Sequence, residues 1–234
     1  MKIFLPGLVF LSTAFLFGCG GDSSRSTSGT SGAPAAAPAP NQAPAQTLPK
    51  IVAFGDSLTA GYGLSPKESY PSILQQKLDA EGYKYEVVNA GVSGDTSAGG
   101  LRRIDWSLED GDVRFIILEL GANDFLRGQP VKETRRNLSQ IIERAQARGA
   151  QVLLAGMYTT TNAGDAYLKE IDEVFKSLAD DHDLPLIPFF LENVAGKRDL
   201  NLDDGVHPNA EGTKIVADTV YKYLKPLLEA EDKK

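Results

Sequence analysis

The chain has 234 residues, of which 42% are hydrophobic, and a formal net charge of −7. This length and composition are typical of one globular domain with additional segments. The acidic balance and the lack of a basic stripe argue against a nucleic-acid-binding protein, because such proteins contact phosphates through clustered lysines and arginines.

The first eighteen residues have the pattern of a targeting segment, in which Lys2 precedes an apolar stretch at residues 3–17. That stretch is too short for a comfortable transmembrane span. It ends in the sequence LFGC at residues 16–19, which resembles the lipobox of bacterial lipoproteins. The resemblance implies cleavage before Cys19 and lipidation of Cys19, and Gly20 at the next position implies an outer-membrane location. An ordinary secretory signal with an incidental cysteine is the alternative.

The segment after Cys19 is predicted to be a tether. Residues 22–47 are rich in Ser, Thr, Gly, Ala and Pro and have almost no large apolar side chains. Burial therefore cannot offset the entropy cost of ordering them, and we predict disorder with a reach of roughly 30 Å. The predicted organisation is a signal peptide at 1–18, a lipidated cysteine and tether at 19–47, and a folded domain at 48–234 on the periplasmic face of the cell envelope.

From residue 48 onward, predicted strands and helices alternate along the chain. The runs FIIL at 115–118 and VLLA at 152–155 are continuously apolar, as in strands that are covered on both faces. Regular alternation predicts a parallel sheet with right-handed crossovers and helices on both faces. We expect the strand order 2-1-3-4-5. The predicted strands lie at 50–54, 85–89, 114–120, 151–157 and 185–188, and the predicted helices at 69–80, 98–108, 132–148, 166–180 and 209–228.

Four polar blocks fall at or near the loops that leave these strands. They are GDSL at 55–58, NAGVSGDT at 89–96, GAND at 121–124 and DGVHP at 204–208. The first three follow strands one, two and three, and the carboxyl ends of parallel strands meet at one edge of a sheet. We therefore expect Ser57, Gly94 and Asn123 to lie close together.

The residue types in these blocks suit acyl transfer. Ser57 can act as a nucleophile if His207 removes its proton, and Asp204 can orient and stabilise the imidazole. The reaction also needs hydrogen-bond donors for the developing oxyanion. The backbone N–H groups of Ser57 and Gly94 and the side-chain amide of Asn123 are the candidates.

This set of blocks resembles the SGNH (GDSL) hydrolase superfamily over the whole of the predicted domain. Residues 89–101, 119–128, 185–190 and 203–209 are similar to its thioesterase I, lysophospholipase and arylesterase branch. The resemblance implies a three-layer α/β/α flavodoxin-like fold with a five-stranded parallel sheet. It also implies hydrolysis of esters or thioesters without a metal or cofactor, with Ser57 as nucleophile, His207 as base and Asp204 as its partner. Ser57, Gly94 and Asn123 would form the oxyanion hole.

Each of these assignments has an alternative. Ser57 can be a helix N-cap, Gly94 a simple turn residue, and Asn123 a left-handed residue of its turn. The chain has only two histidines, and His182 lies among charges at a predicted helix end, where we expect a surface role. We assign Asp56 no catalytic role and expect it to brace neighbouring loops.

The acidic pair Asp203 and Asp204 raises two further alternatives. Asp203 competes with Asp204 as the partner of His207, and we prefer Asp204 because of the spacing in the superfamily. The pair also suggests a metal site, but the other ligands are missing, and a site of several cysteines is excluded because Cys19 is the single cysteine. We predict no metal site.

The substrate pocket is predicted from apolar residues near the same edge. Phe125, Leu126 and Tyr158 can line an apolar groove, and residues 158–165 can wall an acyl site, although each is also compatible with ordinary packing. We expect a serine esterase acting on short-to-medium acyl esters, thioesters or lysophospholipids, bound to a membrane through its lipid anchor. The alternatives are a carbohydrate O-deacetylase of the same superfamily and a non-catalytic envelope lipoprotein that binds a small ligand.

Overall fold

The computed structural model describes residues 47–109, 111–158 and 164–233. The predicted signal peptide, Cys19 and all but the last residue of the predicted tether lie outside these ranges, as do residues 159–163 of the predicted acyl-site wall. Within the described ranges, no helix combines the length and the apolar character needed to cross a membrane.

One five-stranded sheet forms the centre of the domain, and every strand pair is parallel. The strand order β2-β1-β3-β4-β5 confirms the predicted order. The strands are β1 (Lys50–Gly55), β2 (Glu86–Gly91), β3 (Val113–Glu119), β4 (Gln151–Ala155) and β5 (Leu186–Ile187).

Helices cover both faces of this sheet. The helix α2 packs against α7 on one face, while α3, α5 and α6 pack side by side on the other, which gives the predicted three layers. The five predicted helices are present with ends shifted by a few residues, and the short helices α1 and α4 are additional to them. The helices are α1 (Ser57–Ala60), α2 (Tyr70–Glu81), α3 (Ser97–Ser107), α4 (Ala122–Leu126), α5 (Val131–Ala147), α6 (Asp165–His182) and α7 (Ala210–Glu231).

The central strands are buried on both faces, as their continuous apolar runs predict. Ile116, Ile117 and Leu118 of β3 are fully buried, and Leu153 and Leu154 of β4 lie beside them. The strand β2 forms one edge of the sheet and is only partly covered. The core therefore lies around β1, β3 and β4, and it holds their carboxyl ends at a common edge.

A close backbone contact joins α1 to the end of β2. A Cβ atom added at Gly91 would overlap the backbone of Ala60. Only glycine permits this approach, because it has no side chain to keep the two segments apart. The contact places α1, which begins at Ser57, directly beside the loop that follows β2.

We expect Ile117→Ala to lower the free energy of unfolding by about 2–5 kcal/mol, because it opens a cavity in a fully buried central strand. The matched variant Ile117→Val removes one methylene group and should cost only about 0.5–1.5 kcal/mol. Urea unfolding of both variants measures the difference. Equal costs for the two variants would contradict the placement of Ile117 in the packed centre of the sheet.

Candidate active site

The turn after β1 presents Ser57 at the carboxyl edge of the sheet. Asp56 is the N-cap of α1, and its Oδ1 accepts a hydrogen bond from the Leu58 N–H at 3.0 Å. Asp56 rather than Ser57 therefore caps this helix, and the alternative of Ser57 as the N-cap is wrong. The Ser57 hydroxyl is left available for another partner.

That partner is His207, which lies 150 residues further along the chain. The Nε2 atom of His207 is 2.9 Å from Ser57 Oγ, and its Nδ1 atom is 2.7 Å from Asp204 Oδ2. An imidazole that donates from Nδ1 to the carboxylate can accept the serine proton at Nε2. The structure thus brings the three residues of the predicted triad into one hydrogen-bonded chain.

Asp204 is oriented by the backbone of its own loop. Its Oδ1 accepts hydrogen bonds from the N–H groups of His207 at 3.0 Å and Val206 at 2.9 Å. These bonds, led by the one from the His207 backbone, lower the pKa of Asp204 to about 2. Asp204 is therefore ionised at neutral pH. Asp204, and not Asp203, holds the imidazole.

The second histidine lies elsewhere. His182 ends α6, and its Nε2 is 2.8 Å from Ser139 Oγ on the neighbouring helix α5. This contact joins two helices on one face of the sheet. His182 is therefore half-buried between two helices and not fully solvated as predicted, and it takes no part in the triad.

An aromatic ring that the sequence analysis did not identify packs against the imidazole. The ring centroids of Tyr62 and His207 are 4.6 Å apart, with an angle of 39° between the planes. Tyr62 follows α1, so the nucleophile turn also supplies a wall for the base. The loop of His207 is fixed further by a hydrogen bond from the Leu202 N–H to the His207 carbonyl at 2.7 Å.

The predicted oxyanion donors line the same cleft as Ser57 and His207. Asn123 lies in the short helix α4, and its Nδ2 donates to Asp56 Oδ2 at 2.8 Å. Its conformation is helical, and the positive φ of 119° belongs to Gly121, so the alternative of a left-handed Asn123 is wrong. Gly94 has a φ of 79°, and its carbonyl accepts a hydrogen bond from Arg127 at 2.8 Å.

The cleft has a volume of about 190 Å³ and is lined by both polar and apolar groups. Leu126 lines it, as predicted, together with Tyr62 and Val206, which the sequence analysis missed. These three side chains are each about half exposed. The cleft therefore offers an open apolar wall beside Ser57.

Two predicted pocket residues do not line this cleft. Phe125 is buried in the core and packs edge-to-face on Phe175, with ring centroids 6.2 Å apart. It is the helical neighbour of Leu126, and successive helical side chains point about 100° apart, so only one of the two can face the cleft. Tyr158 packs on Phe189, with centroids 5.0 Å apart, and lines a separate small cavity.

Beneath the nucleophile turn lies a buried pair of carboxyl groups. Glu119 ends β3 and is fully buried, and its Oε2 accepts from Thr59 Oγ1 at 2.8 Å and from the Asp56 N–H at 3.3 Å. Burial raises the pKa of Asp56 to about 6 and raises that of Glu119 well above its usual value. The Asp56 carboxylate accepts hydrogen bonds from the Leu58 N–H and from the Asn123 side chain, and so it joins the turn after β1 to the helix α4. This is the bracing role predicted for Asp56.

Among the described residues, no three His, Cys, Asp or Glu side chains gather in a way that could hold a metal ion. What the site does contain is a hydroxyl, an imidazole and a carboxylate in one hydrogen-bonded chain, and an amide that lines the same cleft as the hydroxyl and the imidazole. These are the groups that an acyl-transfer reaction through a serine requires.

The raised pKa of Asp56 predicts a specific pH dependence of stability. The folded state binds this proton more tightly than the unfolded state, whose pKa is near 3.8, so stability is lost as pH rises from about 4 to about 6. Asp56→Asn removes this loss. From pH 4 to pH 6 the wild type should therefore lose stability relative to Asp56→Asn. The difference between their free energies of unfolding should change by roughly 1–3 kcal/mol, since one pKa unit corresponds to about 1.4 kcal/mol.

Asp172→Asn is the matched control. The Lys176 ammonium, which donates to the Asp172 carboxylate at 2.7 Å, lowers the pKa of Asp172, so this contribution to stability is present above about pH 4 and is lost only at lower pH. This variant should therefore run parallel to the wild type between pH 4 and 7. Urea unfolding at several pH values tests both, and a curve for Asp56→Asn that is also parallel would contradict the assignment.

Several known proteins are similar to this chain in sequence or in structure. Residues 53–215 match the model of the GDSL-like Lipase/Acylhydrolase family. Esterase TesA of Pseudomonas aeruginosa is 40% identical over 187 residues, which is 80% of this chain and 92% of that protein. Thioesterase 1/protease 1/lysophospholipase L1 of Escherichia coli K12 is 39% identical over 178 residues, covering 76% of this chain and 84% of that protein.

A solved structure agrees with these sequence matches. The crystal structure of the psychrotrophic esterase EstA from Pseudoalteromonas sp., inhibited by monoethylphosphonate, aligns with a TM-score of 0.74 at 38% identity. The alignment covers 77% of this chain and 98% of EstA. The family match spans both the turn of Ser57 and the loop of His207, and the structural match extends to the sheet that supports them. The chain therefore belongs to the GDSL-like lipase/acylhydrolase family of SGNH hydrolases.

Proposed function

We propose that the protein is a serine esterase in which Ser57 is the nucleophile, His207 the general base and Asp204 the group that orients and stabilises the imidazole. The observation that carries the proposal is the continuous hydrogen-bonded chain from Ser57 Oγ through His207 to Asp204. It opens into a cleft that also contains Gly94 and Asn123. A serine hydroxyl is a weak nucleophile by itself, and an adjacent base is what activates it.

The mechanism follows from these positions. His207 Nε2 takes the Ser57 proton as Oγ attacks the acyl carbon, and the carbonyl oxygen becomes an oxyanion. The N–H groups of Ser57 and Gly94 and one N–H of Asn123 stabilise it, and Asp204 stabilises the imidazolium. The protonated imidazole then gives its proton to the leaving alcohol or thiol. Water, deprotonated by His207, attacks the acyl-enzyme, and the carboxylic acid leaves while Ser57 recovers its proton.

We propose short-to-medium acyl esters and thioesters as the substrates. The cleft is small and open, and Tyr62, Leu126 and Val206 provide an apolar surface for an acyl chain. The names of the relatives support this class, since they include an esterase and a thioesterase that is also named a lysophospholipase. The EstA crystals contain an enzyme inhibited by monoethylphosphonate, and phosphonate esters react with activated serines.

For the N-terminal segment we propose a lipoprotein: a signal peptide at 1–18, a lipidated Cys19, a tether to residue 47 and the hydrolase domain at 48–234. The LFGC sequence at residues 16–19 supports lipidation, and Gly20 favours the outer membrane. The described chain enters the domain at the amino end of β1, whereas Ser57 follows its carboxyl end. The proposed tether would therefore join the domain at the end of β1 opposite to the one that Ser57 follows.

We expect the domain of residues 48–234 to hydrolyse p-nitrophenyl esters, with activity greatest for short or medium acyl chains. Ser57→Ala should lower kcat by at least about 10⁴-fold, because the acyl-enzyme cannot form. Ser93→Ala is the matched control, a serine of the same cleft with no proposed role, and should stay within about threefold of the wild type.

Other outcomes of this assay would contradict the proposal. Hydrolysis of acetate esters alone would indicate the carbohydrate O-deacetylase. A wild-type protein that neither hydrolyses any ester nor reacts at Ser57 with a fluorophosphonate probe would indicate the non-catalytic binding protein.

Lipidation is tested with the full chain expressed in a Gram-negative host. We expect the wild type to fractionate with membranes and its mature N-terminal peptide to carry a diacylglycerol on Cys19. Cys19→Ser should lose the modification and the membrane association, while esterase activity of the folded domain is retained. Mass spectrometry of the mature protein measures the mass of the N-terminal peptide. An unmodified Cys19 would refute the lipoprotein assignment.

A further inference from the structure

A largely buried arginine has no place in the mechanism above. Arg103 is on α3, and its side chain is only 19% exposed. Each nitrogen of its guanidinium group donates one hydrogen bond. Nε donates to Asp95 Oδ2 at 2.7 Å, Nη1 to the Ala90 carbonyl at 2.7 Å and Nη2 to the Gly55 carbonyl at 2.9 Å.

These three acceptors belong to the segments that carry two of the proposed oxyanion donors. Gly55 ends β1 and is separated from Ser57 by a single residue. Asp95 directly follows Gly94, and Ala90 lies near the end of β2, just before that loop begins. One guanidinium group therefore ties the segment of the Ser57 N–H to the segment of the Gly94 N–H.

The ion pair within this clamp is closely packed. Asp95 is only 12% exposed, and its Oδ1 also accepts from the Thr96 N–H at 3.1 Å. A Cβ atom added at Gly99 would overlap the Asp95 carboxylate, so the helix approaches as closely as a glycine allows. The guanidinium carbon also lies 3.9 Å from the centroid of the Phe54 ring. A buried ion pair is costly to desolvate and is a weak source of stability, which points to another role.

Resting on the proposed function, we propose that Arg103 is a positioning residue that sets the separation between the Ser57 and Gly94 backbone donors. Oxyanion donors are effective only when fixed where the charge develops. A displacement of about 1 Å can cost about 100-fold in rate. On its other side, the loop is held by the exposed Arg127, which donates to the Gly94 carbonyl.

The geometry requires arginine rather than a positive charge alone. The three acceptors lie around one planar group, and each is met by a different nitrogen. A lysine ammonium is a compact point charge that cannot reproduce this fork. Arg103→Lys should therefore behave like a loss of the clamp, although it retains the charge beside Asp95.

The test compares two variants of Arg103, Arg103→Lys and Arg103→Ala, with the control Arg102→Ala. Arg102 is an exposed arginine next to Arg103 on the same helix. Values of kcat and KM are measured with p-nitrophenyl butyrate, and fluorophosphonate titration of Ser57, carried to completion, counts the active sites in each sample. Both Arg103 variants should lose about 10–100-fold in kcat with KM changed by less than about threefold, and Arg102→Ala should match the wild type. Added guanidinium ion should partly restore kcat of Arg103→Ala, whereas methylammonium should not.

The outcomes separate this role from a merely structural one. Arg103→Lys with the kcat of the wild type, or losses that vanish when rates are expressed per titrated site, would overturn the positioning role. In either case the wild type would still be active and labelled at Ser57, so the proposed function would stand. A wild type without hydrolysis and without labelling would overturn both.

Discussion

The parallel register of β1 with its two neighbours is the constraint on which the candidate active site depends. Gly55 at the end of β1 lies opposite Gly91 of β2 and opposite Glu119 of β3. The three strands thus end at one level, and their loops start from one line at the edge of the sheet. Ser57, Gly94 and the Asn123 helix meet there because of this register, although they are far apart in the chain. A shift of one strand by one residue would move its loop by about 3.3 Å, which is more than an oxyanion donor can tolerate.

Buried charged groups hold these loops from below. The carboxylate of Asp56 connects the nucleophile turn to Asn123, and Arg103 connects the end of β1 to the loop of Gly94. Neither arrangement is explained by its contribution to the stability of the fold, because burying carboxylates and guanidinium groups costs free energy. Their concentration at one edge of an otherwise apolar core fits a site in which rigidity of the donors matters more than local stability. Tyr62 and Leu126 then give this rigid edge an open apolar surface.

Much of this architecture could be predicted from the sequence because two strong signals agree. The apolar runs of β3 and β4 identify the sheet. Each of the first three polar blocks follows a strand, and this position locates the common edge. Other features could not be predicted. The four- and five-residue helices α1 and α4 are too short to show a periodic pattern, so the orientations of Phe125 and Leu126 remained ambiguous. Glu119 and Arg103 were missed because burial of a charge depends on tertiary partners, which local sequence does not show.

Identification of the covalent intermediate tests most directly whether Ser57 is the nucleophile. The enzyme is mixed with p-nitrophenyl butyrate, quenched in acid within the first turnovers, and mapped by peptide mass spectrometry. We expect a butyryl group on Ser57, formed with a burst of p-nitrophenol, and no such group in His207→Ala over the same time. A wild-type enzyme that turns over the ester with no acyl group on Ser57, or with the acyl group on another residue, would contradict it.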